Sequence, residues 1–265
     1  MLIDTHTHVW PDRIAQLALA GNRLPGLEAR GDGTVGGLSQ DMVHSGVDLS
    51  CCLGVANEAR QVESVNKFVA ATTGPGRIGF GSVHVDLSVE ENLASLQRNG
   101  ITGIKVHPLF QGFSLEDPRL WEMFEAFGSE MVVIAHVGAG GSSEVNGLSS
   151  PTMVAKIARQ FPDLRFIACH FGGYKMLDAA EECLTGVDVV LETSWPPSLG
   201  VVRPEQVRRI IQNHGAERIV FGSDWPMTNP RDEIRVIDSL GLPGADVEAI
   251  LGGNMARILR LEGAN

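Results

Sequence analysis

Residues 1–10 read Met1-Leu2-Ile3-Asp4-Thr5-His6-Thr7-His8-Val9-Trp10. The apolar pair Leu2-Ile3 begins a strand-like run that closes on two histidines one residue apart. In a β-strand successive side chains point to opposite faces, so residues i and i+2 share a face. His6 and His8 therefore project side by side. Two imidazoles on one face are either an incidental polar strand end or two legs of a metal site. The choice depends on what the later strands carry.

Outward from this stretch, short β-branched runs recur at 49–55, 78–85, 101–106, 131–135, 164–168, 187–191 and 218–221, which with the first makes eight candidate strands. Their near-continuous apolar character, without clean alternation, is that of strands covered on both faces. Helix-period segments lie between them at 58–71, 89–98, 118–127, 151–159 and 204–212, and Pro118, Pro151 and Pro204 suit first-turn positions. No linker, repeat or low-complexity block interrupts the alternation. The pattern predicts an α/β protein, one (β/α)8 TIM barrel forming a single domain over 1–265, with a doubly wound open sheet as the alternative. The glycine-rich segment 31–37 reads as a loop after the first strand, or equally as a lid.

Composition agrees with a globular chain. Its 265 residues match the usual barrel size of about 250. Hydrophobic residues make up 43% and charged residues 20%, too apolar for a disordered chain. Acidic residues number 32 against 21 basic, for a net charge of -11, and no Lys/Arg-rich block occurs, which argues against a nucleic-acid partner. Apolar stretches are strand-sized, and residues 1–10 lack a basic segment followed by an apolar one, so neither a membrane span nor a signal peptide is expected and the cytoplasm is the default location. Cys51, Cys52, Cys169 and Cys183 are too few and scattered for a disulfide framework or paired zinc ligands. Cys51, Cys52 and Cys169 lie in apolar runs and read as small buried hydrophobes.

On the barrel reading, polar residues gather at the C-terminal strand ends: His6 and His8 after strand 1, Lys105 and His107 on strand 4, His136 after strand 5, His170 after strand 6 and Asp224 after strand 8. That is the functional face of such a barrel. His84 ends strand 3 and reads as a hydrogen-bonded barrel residue or a pocket liner, while His44 and His214 fall in helical, exposed segments and receive no role. Lys105 sits between Ile104 and Val106, where burial of an ammonium requires a charge partner or a metal. His6, His8, His136 and Asp224 together supply imidazole and carboxylate donors suited to zinc, with manganese, iron or cobalt as competitors. Water on such an ion has its pKa lowered toward about 7.

These residues resemble the amidohydrolase superfamily, in particular the amidohydrolase-related branch that also contains nonoxidative decarboxylases. The similarity spans essentially the whole chain and rests on D-T-H-T-H at 4–8, G-I-K-V-H-P at 103–108, I-A-H-V-G at 134–138, A-C-H-F-G-G at 168–173, F-G-S-D-W-P at 221–226 and G-G-N-M-A-R-I-L at 252–259. The resemblance implies a (β/α)8 barrel with His6, His8, His136 and Asp224 as metal ligands. It implies His170 as the group that orients or deprotonates water or substrate. Lys105 is implied either as a carboxylated bridge between two metals or as an ammonium contacting an anionic substrate. His107 is read with Lys105 as a substrate contact on strand 4. Asp224 has a second oxygen with which to accept a proton, a role His170 competes for. Trp195 with Pro196 and Pro197, and Trp225, read as pocket walls, with plain packing expected for at least one of the two tryptophans. Residues 110–113 and 138–143 would shape the substrate end.

Three functions compete. The leading one is a metal-dependent hydrolase acting on an amide, ester or lactone of a small molecule. The second is a nonoxidative decarboxylase of an aromatic or enoic acid, which needs a basic group for the substrate carboxylate, with Arg13, Arg23 and Arg119 as candidates. The third is a non-catalytic binding barrel, disfavoured because every ligand type is present. Short loops suggest either a small substrate or a mouth completed by the neighbouring subunit of a homodimer. Asn254 reads as the N-cap of a closing helix at 255–261.

Overall fold

A computed structural model describes residues 1–21 and 27–261. Arg23 lies outside the described residues. The strands are Ile3–Thr7 (β1), Leu49–Leu53 (β2), Arg77–Ser82 (β3), Gly103–Val106 (β4), Val132–Ala135 (β5), Arg165–Ala168 (β6), Val190–Glu192 (β7) and Ile219–Val220 (β8). Among the described residues the α-helices are Asp12–Gly21 (α1), Val35–Ser45 (α2), Val62–Thr72 (α3), Val89–Arg98 (α4), Pro108–Gln111 (α5), Pro118–Phe127 (α6), Pro151–Gln160 (α7), Leu177–Leu184 (α8), Pro204–His214 (α9), Pro230–Ser239 (α10), Gly244–Glu248 (α11) and Asn254–Ile258 (α12). The sheet runs in the order β1-β2-β3-β4-β5-β6-β7-β8. Thr5 N–H donates to the Phe221 carbonyl at 2.9 Å, so the segment that follows β8 lies beside β1. This is the topology of a (β/α)8 barrel.

Local chemistry sets the helix starts. Ser88 and Glu91 form a capping box at α4, Asp117 and Ser150 cap α6 and α7, and Pro118, Pro151 and Pro204 occupy first-turn positions of α6, α7 and α9.

The chain divides into two compact units, one of Met1–Cys52, Gly74–Ile78 and Glu192–Asn265, the other of Leu53–Thr73 and Gly79–Leu191. In the first, β1 pairs in parallel with β2, with Ile3 opposite Leu49 and Asp4 opposite Ser50. The register then shifts before Thr7 meets Cys52, leaving an extra residue on β1 beside His6. Such a bulge re-aims side chains and is common next to active sites. In the second unit β4, β5 and β6 pair residue for residue, from Gly103↔Val132↔Arg165 to Val106↔Ala135↔Ala168. Every residue of β4 and β5 is buried, which accounts for their unbroken apolar runs.

Three local expectations are corrected. The segment 31–37 is not simply a loop: Asp32 accepts from Thr34 N–H and Oγ, Thr34 caps Gly37 N–H, and the helix α2 has begun by Val35. His214 is fully buried rather than exposed, because it falls on the inward stripe of α9 with Val207, Ile210 and Ile211. Asn254 is not an N-cap, since a π-turn over Ala249–Gly253 runs straight into α12. Its side-chain amide instead donates to the carbonyls of Ala216 and Ile219, both at 2.7 Å, and ties the helix to β8.

Candidate active site

In the first unit, β1 and the turn after β8 bring His6, His8 and Asp224 together. His6 Nε2 lies 3.1 Å from His8 Nε2 and 3.3 Å from Asp224 Oδ1, and His8 Nε2 lies 3.6 Å from the same oxygen. Ligands about 2.0–2.1 Å from a tetrahedral ion stand about 3.3 Å apart. The three atoms are therefore spaced as one face of a coordination shell, and their donor set suits a divalent cation. His6 is the innermost; the side chains of His8 and Asp224 retain 15% and 13% of their exposure, enough for a small molecule to reach them.

Backbone and buried side chains hold this trio. Asp224 N–H donates to the His6 carbonyl at 2.8 Å, and Asp224 sits at a φ of 65°, a left-handed conformation that asparagine and aspartate tolerate better than most residues. Asp4 is fully buried and accepts from Ser223 N–H, Ser223 Oγ and His6 N–H. Burial pushes its carboxyl up to about 6, with the Ser223 and His6 donors pulling the other way. Glu192, at the end of β7, is also fully buried and lies 2.9 Å from His6 Nδ1.

In the second unit, β4, β5 and β6 present Lys105, His107, His136 and His170. His107 stacks between Phe110 and His136, with ring centroids 3.9 and 4.2 Å away. His136 Nδ1 lies 3.0 Å from His170 Nε2. Burial first, then the neighbouring His107, His170 and Lys105, holds the His136 imidazole well below the usual histidine range, so it is neutral at pH 7. Its Nε2 is buried without a hydrogen-bond partner among the described residues. A neutral imidazole that uses Nδ1–H toward His170 keeps a lone pair on Nε2, which is the state a metal ligand requires. His170 stands at a φ of 61°, outside the ordinary helix and strand regions, as Asp224 does.

Lys105 is fully buried and its Nζ donates to Cys169 Sγ at 3.1 Å. Cys169 is thus a hydrogen-bond acceptor as well as a small buried residue. His84 is a packing residue: its backbone N–H is held by Asn92, and its ring meets Phe113 edge-on. Trp195 is mostly buried in the first unit. Trp225 is 0% exposed, with its indole N–H bonded to Asp41 at 2.8 Å. Gly31 lies so close to this ring that a Cβ there would fall 2.5 Å from it. Arg119 is engaged by Asp86 and Asp117, and Arg13 is exposed on α1.

Reading the sequence for histidines and aspartate missed Asp4, Glu192, Ser194 and Ser223. A signal existed for Glu192, a charged residue ending the apolar run Val189-Val190-Leu191, of the same kind that drew notice to Lys105.

The family model for amidohydrolases, of the second amidohydrolase type, matches residues 3–261. The chain belongs to the amidohydrolase family. No curated protein sequence matches this amidohydrolase. Solved structures show its fold. The 5-carboxyvanillate decarboxylase LigW of Sphingomonas paucimobilis aligns with a TM-score of 0.71 at 16% identity, over 98% of both chains. A dihydroxybenzoic acid decarboxylase of a Polaromonas species, solved with manganese and 2-nitroresorcinol, aligns at 0.74 and 15%, over 98% of this chain and 97% of that one. A candidate 2-pyrone-4,6-dicarboxylic acid hydrolase of Pseudomonas putida aligns at 0.67 and 18%, over 98% of both.

Proposed function

We propose that this amidohydrolase is a metal-dependent hydrolase of a small amide, ester or lactone, with residues 1–265 acting as one catalytic domain in the cytoplasm. The observation that carries the reading is the spacing of His6 Nε2, His8 Nε2 and Asp224 Oδ1. His136 is the fourth ligand in this reading, which its neutral, unpartnered Nε2 supports. Zinc suits this nitrogen-rich donor set, and manganese is the ion named with two similar structures. Bound there, the ion supplies Lewis acidity and lowers the pKa of water.

The chain's own groups do the rest. Asp224 takes the proton of the attacking water on its second carboxylate oxygen. His170 holds a proton for the leaving group, with its ring oriented by His136. His107, its two ring faces covered by Phe110 and His136, contacts the substrate through its ring edge in this reading. Trp195 borders the site in this reading, and a homodimer is the expected assembly.

A second reading, nonoxidative decarboxylation, is favoured by one buried group and by the relatives. Lys105 is a fully buried amine of a kind suited to a substrate carboxylate, and several similar structures are decarboxylases. There the C–C bond to the carboxylate breaks, carbon dioxide leaves, and Asp224 or His170 returns a proton to the carbon. Assay of lactones, esters, amides and hydroxybenzoates with Asp224→Asn and His170→Asn variants tests both readings. Loss of about 100-fold or more in kcat for one substrate class supports the corresponding reaction. Undiminished turnover in both variants contradicts the assignment.

A further inference from the structure

We infer that Glu192 is a positioning residue for His6, holding the imidazole in the tautomer and orientation that ligation requires. The inference rests on the metal-dependent reading above. Glu192 is 0% exposed, and its carboxylate accepts from Ser194 N–H and from Ser194 Oγ at 2.9 Å and lies 2.9 Å from His6 Nδ1. Ser194 Oγ, having given its hydrogen to Glu192, also stands 3.2 Å from His6 Nδ1 as an acceptor. An ionised carboxylate only accepts, so these contacts place the His6 proton on Nδ1. Nε2 keeps its lone pair, and Nε2 is the atom that faces His8 and Asp224. Donation from Nδ1–H to a carboxylate also makes the ligating nitrogen more basic.

A second observation is steric. A Cβ on Gly222 would fall 2.2 Å from Glu192 Oε1 and 2.8 Å from His6 Cβ. Only glycine at 222 lets the carboxylate slide beneath the imidazole. The glycine of F-G-S-D-W-P is thus explained by a residue outside every motif that marked the family. A buried carboxylate is expensive without partners; His6 and Ser194 are among those that Glu192 has here.

The test uses the full chain stripped of metal. Dissociation constants for Mn2+ and Zn2+ are measured by chelator competition, and the ring nitrogens of the metal-free protein are observed by 15N NMR, with His6→Asn assigning the His6 signals. Glu192→Gln and Gly222→Ala are expected to weaken both ions by about 10–100-fold. Ser194→Ala should weaken them less. In metal-free wild type the His6 proton should sit on Nδ1, and in Glu192→Gln it should shift toward Nε2, a change that a merely structural role would not produce.

Glu192→Gln binding both ions within about threefold of wild type, with unchanged His6 shifts, overturns the inference while leaving the metal site standing. Wild type that binds neither ion overturns the metal-dependent reading and the inference together. Should Glu192→Gln fail to fold, the wild-type spectrum decides alone, because a His6 proton found on Nε2 contradicts the role of Glu192 without any variant.

Discussion

Asp4 and Ser223 stand 219 residues apart in the chain and share two hydrogen bonds, Ser223 N–H to Oδ1 at 2.9 Å and Ser223 Oγ–H to Oδ2 at 2.6 Å. Oδ1 also accepts His6 N–H at 3.1 Å. One carboxylate therefore anchors the backbone of a proposed ligand on β1 and of the residue before another after β8.

Asp4→Ala removes both acceptor oxygens, and with them three hydrogen bonds, and leaves buried N–H groups unmatched, each worth about 1–3 kcal/mol. Thermal or urea unfolding should show a loss of several kcal/mol, and metal affinity should fall with it. Asp4→Asn, which retains one carbonyl acceptor, should lose less. Unfolding midpoints of both variants equal to wild type would show that Asp4 is not the brace.

Glu233 gives a pH dependence. Its carboxyl is pushed above the usual range, first by burial and then by Asp232, against donors from Leu199 N–H and Ser198. Between the unfolded pKa and the raised folded one, the folded chain holds a proton that the unfolded chain has lost. Stability from this group is thus greatest below the unfolded pKa and falls as pH rises through the folded one. Glu233→Gln keeps an oxygen for Leu199 N–H and cannot ionise. Its stability relative to wild type should improve from pH 4 to pH 8; a difference that stays flat or reverses contradicts the assignment.

Trp225→Phe keeps most of the ring and removes the N–H that Asp41 accepts. A cost of about 1–2 kcal/mol is expected, with KM unchanged, since the indole packs rather than binds substrate. A large rise in KM with unaltered stability would restore Trp225 to the pocket wall.

Lys105→Met separates the two reactions. The variant replaces a buried polar chain, whose Nζ donates to the weakly accepting Cys169 thiol, with an apolar one of similar length, so stability should change little or rise. Under the decarboxylase reading KM for carboxylate substrates rises at least tenfold. Under the hydrolase reading turnover of a neutral ester persists. Loss of half the bound metal would instead point to Lys105 as a bridge between two ions.

The barrel was legible because its strands are buried on both faces and its helices carry capping signals. The runs at 101–106, 131–135 and 164–168 enclose β4, β5 and β6, and the segments at 89–98 and 118–127 coincide with α4 and α6. His6 and His8 were legible for a local reason, since period-two alternation sets them side by side. Asp4 stands in the same five-residue motif and was not recognised, because its partner Ser223 is distant in sequence. Glu192 depends on the glycine at 222, and no local pattern connects the two. His214 departs from the exposed position expected of it because the buried stripe of α9 with Val207 and Ile211 continues through it. Asn254 was misread because a π-turn joined two helical segments where a cap would have separated them.

His6, His8 and Asp224 are proposed to hold a divalent ion. The most direct measurement is elemental analysis of the full chain purified without chelator, on wild type and on His8→Ala, with Mn2+ or Zn2+ supplied during expression. One ion per chain is expected in wild type and a fraction near zero in His8→Ala, with both proteins folded by circular dichroism. An ion retained at full stoichiometry in His8→Ala, or no ion in metal-replete wild type, would contradict it.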